Sequence, residues 1–135
     1  MNVLETLPEE LGTDNAWSEK GRAHWLTCDG LNVRDLAKGL IEHQARFITI
    51  TAIQLPDDEG IRMDYHWDLD GQLLGFQFLV ANNQIESIYD LCEAANWIER
   101  EIHEYFAVDF LGRDYEPLFL RKGDKPGVNL REEDE

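Results

Sequence analysis

The chain has 135 residues, 43% of them apolar, and a formal net charge of -16 from 28 acidic and 12 basic side chains. That length and apolar share suit one domain with its own core, and the strong negative charge excludes a nucleic-acid surface, because like charge repels the phosphate backbone. No run approaches the roughly 20 apolar residues that cross a bilayer, and no basic start followed by an apolar run marks a signal peptide.

Cys28 and Cys92 belong to no CxxC motif and read as buried free thiols. Residues 1–22 read as an acidic arm, with Glu5, Glu9, Glu10, Asp14 and Glu19 in it and Pro8 and Gly12 interrupting it. Residues 23–27 (AHWLT) suit a short strand. Asp29-Gly30 turns the chain, and Asp29 or Asn32 can cap a helix. In that helix Val33, Leu36, Leu40 and Ile41 share one face, opposite Arg34, Asp35, Lys38 and Glu42.

Three strands follow. RFITITAIQL (46–55) is β-branched and apolar on both faces, which predicts a central strand. PDDEG (56–60) is a turn signal. IRMDYHWD (61–68) alternates, with Ile61, Met63, Tyr65 and Trp67 on one side and Arg62, Asp64, His66 and Asp68 on the other, as a half-buried strand does. Asp70-Gly71 signals a tight hairpin, and QLLGFQFLV (72–80) places Leu74, Phe76, Phe78 and Val80 on one face. Asn82-Asn83 ends the sheet.

From about Asp90 the period becomes helical: Leu91, Ala94, Ala95, Ile98, Ile102, Tyr105 and Phe106 form an apolar stripe. Glu93, Glu99, Arg100, His103 and Glu104 are expected on the opposite, solvated side. Gly112 and Pro117 mark irregular chain. Phe110, Leu111, Tyr115, Leu118 and Phe119 are too apolar for a solvated tail, so that segment either folds back over its own sheet or offers a docking surface. Residues 122–135 read as an acidic tail.

The order strand, helix, three strands, helix predicts an α+β two-layer domain over 23–121, with a mixed, mostly antiparallel sheet and both helices on one face. The hairpin-linked strands should be antiparallel, and the first strand, reached through a helical crossover, parallel to its neighbour.

Few constellations suggest chemistry. Asp64, His66 and Asp68 share a strand face, yet alternate residues on a strand stand nearly 7 Å apart, so a solvated or partner-facing surface is favoured over a metal site. His24 and Cys28 lack two further zinc ligands. Glu99 and His103 lie one helical turn apart and read as a surface pair. Ser18 and Ser87 have no nucleophile elbow around them, and no glycine-rich phosphate loop is present.

The segment ANWIEREIHEYFAVDFLGRDYEPLFLR (95–121) resembles the signature of the complex I 30-kDa subunit family: Glu-Arg-Glu, two free positions, an acid, then two large apolar residues. Glu99, Arg100, Glu101, Glu104, Tyr105 and Phe106 match in place, and Pro117 and Leu120 match downstream. Arg113 stands where the family has His or Lys, Phe119 replaces an aliphatic residue, and Ala107 stands where Gly is common. FITITAIQLPDDEGIRMDYHWDLDG resembles the family's central strands, and IESIYDLCEAANW its approach to the signature, so the resemblance spans 23–121.

That resemblance implies a non-catalytic accessory subunit of a membrane-associated redox complex, peripheral on the cytoplasmic face of the membrane. It implies no cofactor in this chain. Iron–sulfur clusters, nickel or flavin would sit in partner subunits, and the partners would be a 49-kDa-like or hydrogenase large subunit and its iron–sulfur neighbours. The short chain and the YHWDLDG hairpin look more like the branch associated with energy-converting [NiFe] hydrogenases than the respiratory branch. The Glu-Arg-Glu charges could pair internally or dock a neighbour. A free-standing acidic regulatory or ligand-binding domain is the alternative, and a small metal-dependent enzyme built on Asp64, His66 and Asp68 a third.

Overall fold

The computed structural model describes residues 7–8, 10, 17–28, 31–56, 60–80 and 82–113. Its elements, in chain order, are β1 (Ser18–Lys20), β2 (Ala23–Thr27), α1 (Val33–Glu42), β3 (Arg46–Gln54), β4 (Ile61–Leu69), β5 (Gln72–Val80), β6 (Gln84–Glu86), α2 (Ala95–Phe106) and β7 (Asp109–Leu111).

Asp70 and Gly71 both take positive φ, 51° and 85°, as a two-residue hairpin turn requires. They set β4 and β5 in unbroken antiparallel register from Ile61↔Val80 to Leu69↔Gln72. The alternation read from the sequence therefore lands on one face: Ile61, Met63, Tyr65 and Trp67 lie beside Leu74, Phe76, Phe78 and Val80, all buried. Phe47 meets Trp67, and Tyr65 meets Phe78, edge to face at about 5.4 Å.

Asn32 caps α1, its side chain accepting from the Arg34 and Asp35 amides. Val33, Leu36, Ala37 and Leu40 are buried on that helix, and Ile41 is not. The β2–α1 crossover delivers a parallel strand, as expected, with Ala23↔Leu73 through Thr27↔Gln77 pairing β2 to β5. The architecture is thus an α+β fold on a mixed, mostly antiparallel five-stranded sheet, ordered β1-β2-β5-β4-β3.

That order corrects one expectation: among the described residues β3 is an edge strand, not a central one. The hairpins chain β3 to β4 to β5, and β2 claims the far side of β5, which leaves β3 at the end. Its β-branched run reflects a preference for extended backbone, not two-sided cover; Ile48 and Ile53 are 48% and 36% exposed. The turn after it closes as expected, with the Leu55 amide donating to the Gly60 carbonyl.

Other departures follow from tertiary contacts that local patterns do not encode. Within the stretch read as an arm, Leu7 is fully buried and β1 pairs with β2. Successive turns occupy the chain from Ile88, so the helix starts at Ala95 instead of near Asp90. Asn82 and Asn83, both at positive φ, bend the chain into β6, which pairs in parallel with β7. Of the two alternatives left open for the segment after α2, Phe110 on β7 takes the folded-back one, being fully buried in the core, whereas Leu111 is 41% exposed. Tyr115, Pro117, Leu118, Phe119, Leu120 and the tail at 122–135 lie outside the described residues. Both cysteines are free; Cys28 is buried and Cys92 half-buried.

Candidate functional site

The signature helix α2 carries its first acid inward. Glu99 is fully buried, and its two carboxylate oxygens are hydrogen-bonded separately. Ser87 Oγ donates to Oε1 at 2.6 Å and the Ile88 amide to Oε2 at 2.9 Å. Arg113, just past β7, adds Nη1 to Oε1 at 3.2 Å. Its guanidinium also reaches the Asn96 carbonyl at 3.2 Å and Asn96 Oδ1 at 2.7 Å, and lies 4.7 Å from the centre of the Tyr89 ring. One carboxylate thus fastens the 87–88 segment, α2 and the chain after β7.

The expectation that Glu99 and His103 form a solvated pair is overturned. His103 Nδ1 bonds to the Val108 carbonyl instead, at 2.9 Å. Glu104 is also buried. The reason lies in the chain that follows β5: β6 and the 87–94 turns pass close to α2 on the side that polarity alone assigns to water, and they supply donors there.

A second clamp holds the same segment from α1. Arg34 forks onto Asp90 at 2.5 and 2.8 Å and donates to the Ser87 carbonyl at 2.7 Å. Asn32 Nδ2 bonds Glu86 at 3.2 Å. The pairing raises the Arg34 pKa and lowers that of Asp90, in each case chiefly through their shared hydrogen bonds. Burial pushes the Glu99 carboxyl up, against the lowering effect of Ser87, the Ile88 amide and Arg113.

On the other face of β4, Asp64, His66 and Asp68 each find a separate partner; Asp64 is buried instead of solvated, and His66 and Asp68 are half-buried. Arg62 bonds Asp64 at 3.1 Å, Thr51 Oγ1 lies 3.0 Å from His66 Nε2, and Arg46 bonds Asp68 at 3.1 Å. Burial lowers the His66 pKa, opposed by Asp64. Among the described residues no three such side chains are grouped to hold a metal ion. His24 sits 3.6 Å from Glu19, and Cys28 Sγ faces the Leu26 carbonyl.

The family described as respiratory-chain NADH dehydrogenase, 30 Kd subunit, matches residues 26–134. The chain belongs to that family. No curated protein sequence matches it. Among solved structures, a chain of the membrane-bound sulfane sulfur reductase, an archaeal respiratory membrane complex, aligns with a TM-score of 0.63 at 20% identity, covering 82% of this chain and 71% of that one. A trypsin-resistant fragment of Nqo5 aligns at 0.64 and 20% identity, covering 85% of this chain and all of the fragment. At that identity both likenesses establish the shared fold.

Within this 30-kDa-family fold the signature residues divide. Glu99 and Arg113 meet in the buried node, and Glu104 is buried elsewhere on α2. Arg100 lies over the Trp97 ring at 5.7 Å, while Glu101, Tyr105 and Phe106 are half-buried. Pro117 and Leu120 fall outside the described residues. Sequence reasoning missed Ser87, Asn96, Arg34, Asp90 and Tyr89. The family-like stretch IESIYDLCEAANW contains four of these five, and it was the one available signal.

No helix among the described residues is long and apolar enough to cross a membrane.

Proposed function

We propose that this chain is a non-catalytic accessory subunit of a membrane-associated redox complex, either an energy-converting [NiFe] hydrogenase or an NADH:quinone oxidoreductase. In this reading it docks on the large subunit and helps hold the electron-transferring arm together at the cytoplasmic face of the membrane. Iron–sulfur clusters, nickel or flavin belong to the partner subunits. Family membership supports the setting. The observation that carries the non-catalytic role is the Glu99 node: the signature's buried acid accepts from Ser87, Ile88 and Arg113, so it locks three segments instead of facing a cleft.

The test is affinity purification of the tagged chain from detergent-solubilised membranes of its own host. The expected result is co-purification with a large subunit and iron–sulfur subunits, and the identity of that large subunit separates hydrogenase from NADH:quinone oxidoreductase. The chain purified alone should be colourless and metal-free by elemental analysis. A lone soluble species with its own NADH oxidation, hydrogenase or hydrolase activity overturns the proposal.

A further inference from the structure

The five-stranded sheet ends on β3, and among the described residues no strand bonds to its outer edge. An open edge offers a row of backbone donors and acceptors, which proteins ordinarily blunt with charges, prolines or short length. This edge is nine residues long, holds no proline, and carries its one charge, Arg46, at the first position. The bulge between Phe47 and Thr49 disturbs only its start.

Beside the middle of β3 runs an open groove of about 240 Å³ whose opposite wall is α2. Ile50 and Ala52 of β3 line it, with Ile98, Ile102 and Tyr105 of α2, and the half-exposed Glu101 is the single charged residue among the described ones that line it. A strand added to the edge would lie about 4.8 Å from β3 and turn alternate side chains toward the layer that α2 occupies. Backbone pairing and side-chain pocket are therefore adjacent, as strand-addition sites require.

We propose that the β3 edge and this groove receive an extended strand from a different polypeptide, with alternating apolar side chains entering the groove and a basic residue meeting Glu101. Charge selects the occupant. Each copy of this chain carries -16, so two copies brought edge to edge repel, whereas a basic segment is attracted. The inference rests on the subunit reading and names one contact through which that assembly forms.

Hydrogen–deuterium exchange on the chain alone and within the complex purified from its host tests this. In the complex, the outward-facing amides of 46–54, those not already bonded to β4, should exchange at least about tenfold more slowly, because a paired strand edge no longer opens to solvent. Glu101→Lys should reduce recovery of the complex with the melting temperature of the isolated chain unchanged, while Glu93→Lys, at an exposed position before α2, should not. A complex that assembles normally with unaltered exchange at 46–54 overturns the strand addition and leaves the accessory role standing. Concentration-dependent dimerisation of the isolated chain that protects 46–54 also overturns it, since the occupant is then a second copy. Recovery of no partner at all removes both readings together.

Discussion

Arg113 and Glu99 stand 14 positions apart in sequence and meet at 3.2 Å, with 5% and 0% of their side chains exposed. A pair so enclosed is weak grounds for high net stability, because desolvation offsets much of the attraction. Removing one partner is a different matter. Arg113→Ala strands a buried carboxylate and strips Asn96 and Tyr89 of their cation, so it should cost about 3–5 kcal/mol. Arg46→Ala, which loses an ion pair to Asp68 whose cation is 82% exposed, should cost less. Urea denaturation of both variants checks the order, and an equal cost contradicts it.

The sign of the pH dependence follows from burial. The folded state binds the Glu99 proton more tightly than the unfolded chain does, since its pKa is raised. The resulting contribution is fully present below the ordinary glutamate pKa and is lost as pH rises through the raised value. Wild type should therefore lose stability relative to Glu99→Gln across that window, and the cost of Arg113→Ala should shrink at its acid end. Asp90 has the opposite sign: its lowered pKa gives a contribution present above the ordinary aspartate value and lost as pH falls through the lowered one. Denaturation midpoints across a pH series, with Asp90→Asn alongside, separate the two.

The Trp25 ring fills the space beside its cross-strand partner Gly75. A β-carbon built there would stand 2.3 Å from Trp25 Cε3 and 2.4 Å from Cζ3. Gly75→Ala must displace the indole and draw it away from its edge contact with His66, at a cost of about 1–3 kcal/mol. In a Trp25→Ala background the same change should cost markedly less. Additive costs in the double-mutant cycle refute the contact.

Ala107 ends α2 in the left-handed region, φ 57° and ψ 30°, with its amide on the His103 carbonyl. Glycine takes that conformation without the β-carbon clash, so Ala107→Gly should stabilise the protein by up to about 1 kcal/mol. A lower melting temperature would contradict the assignment. The expectation that family members favour Gly at this position has its physical basis here.

Strands β4 and β5, the α1 cap and the parallel crossover were legible because each is written in a local signal: strict alternation, Asp-Gly, Asn before an amphipathic run. The place of β3 was not, since position in a sheet depends on which strand claims which edge. Glu99 was misread because helical periodicity sorts residues by polarity. It cannot see that Ser87 and the Ile88 amide lie opposite that face and that Arg113 returns to it. The same holds for Phe110, whose short strand exists only because β6 is beside it. The family signature did point at Glu99 on α2 and at Arg113 past β7, without revealing that the two meet in the interior.

The pairing of Ala23 with Leu73 bears on how the chain reaches its native state. The β3–β4–β5 meander closes through short turns and can form as a local unit. β2 has no place in the sheet until β5 exists, and its docking must close the long intervening loop, an entropic cost that local hairpins escape. Strand β2 is thus expected to add last to a preformed meander. During synthesis the segment up to α1 must wait, with Leu26 and Leu36 unsheltered, until the chain through Val80 has emerged.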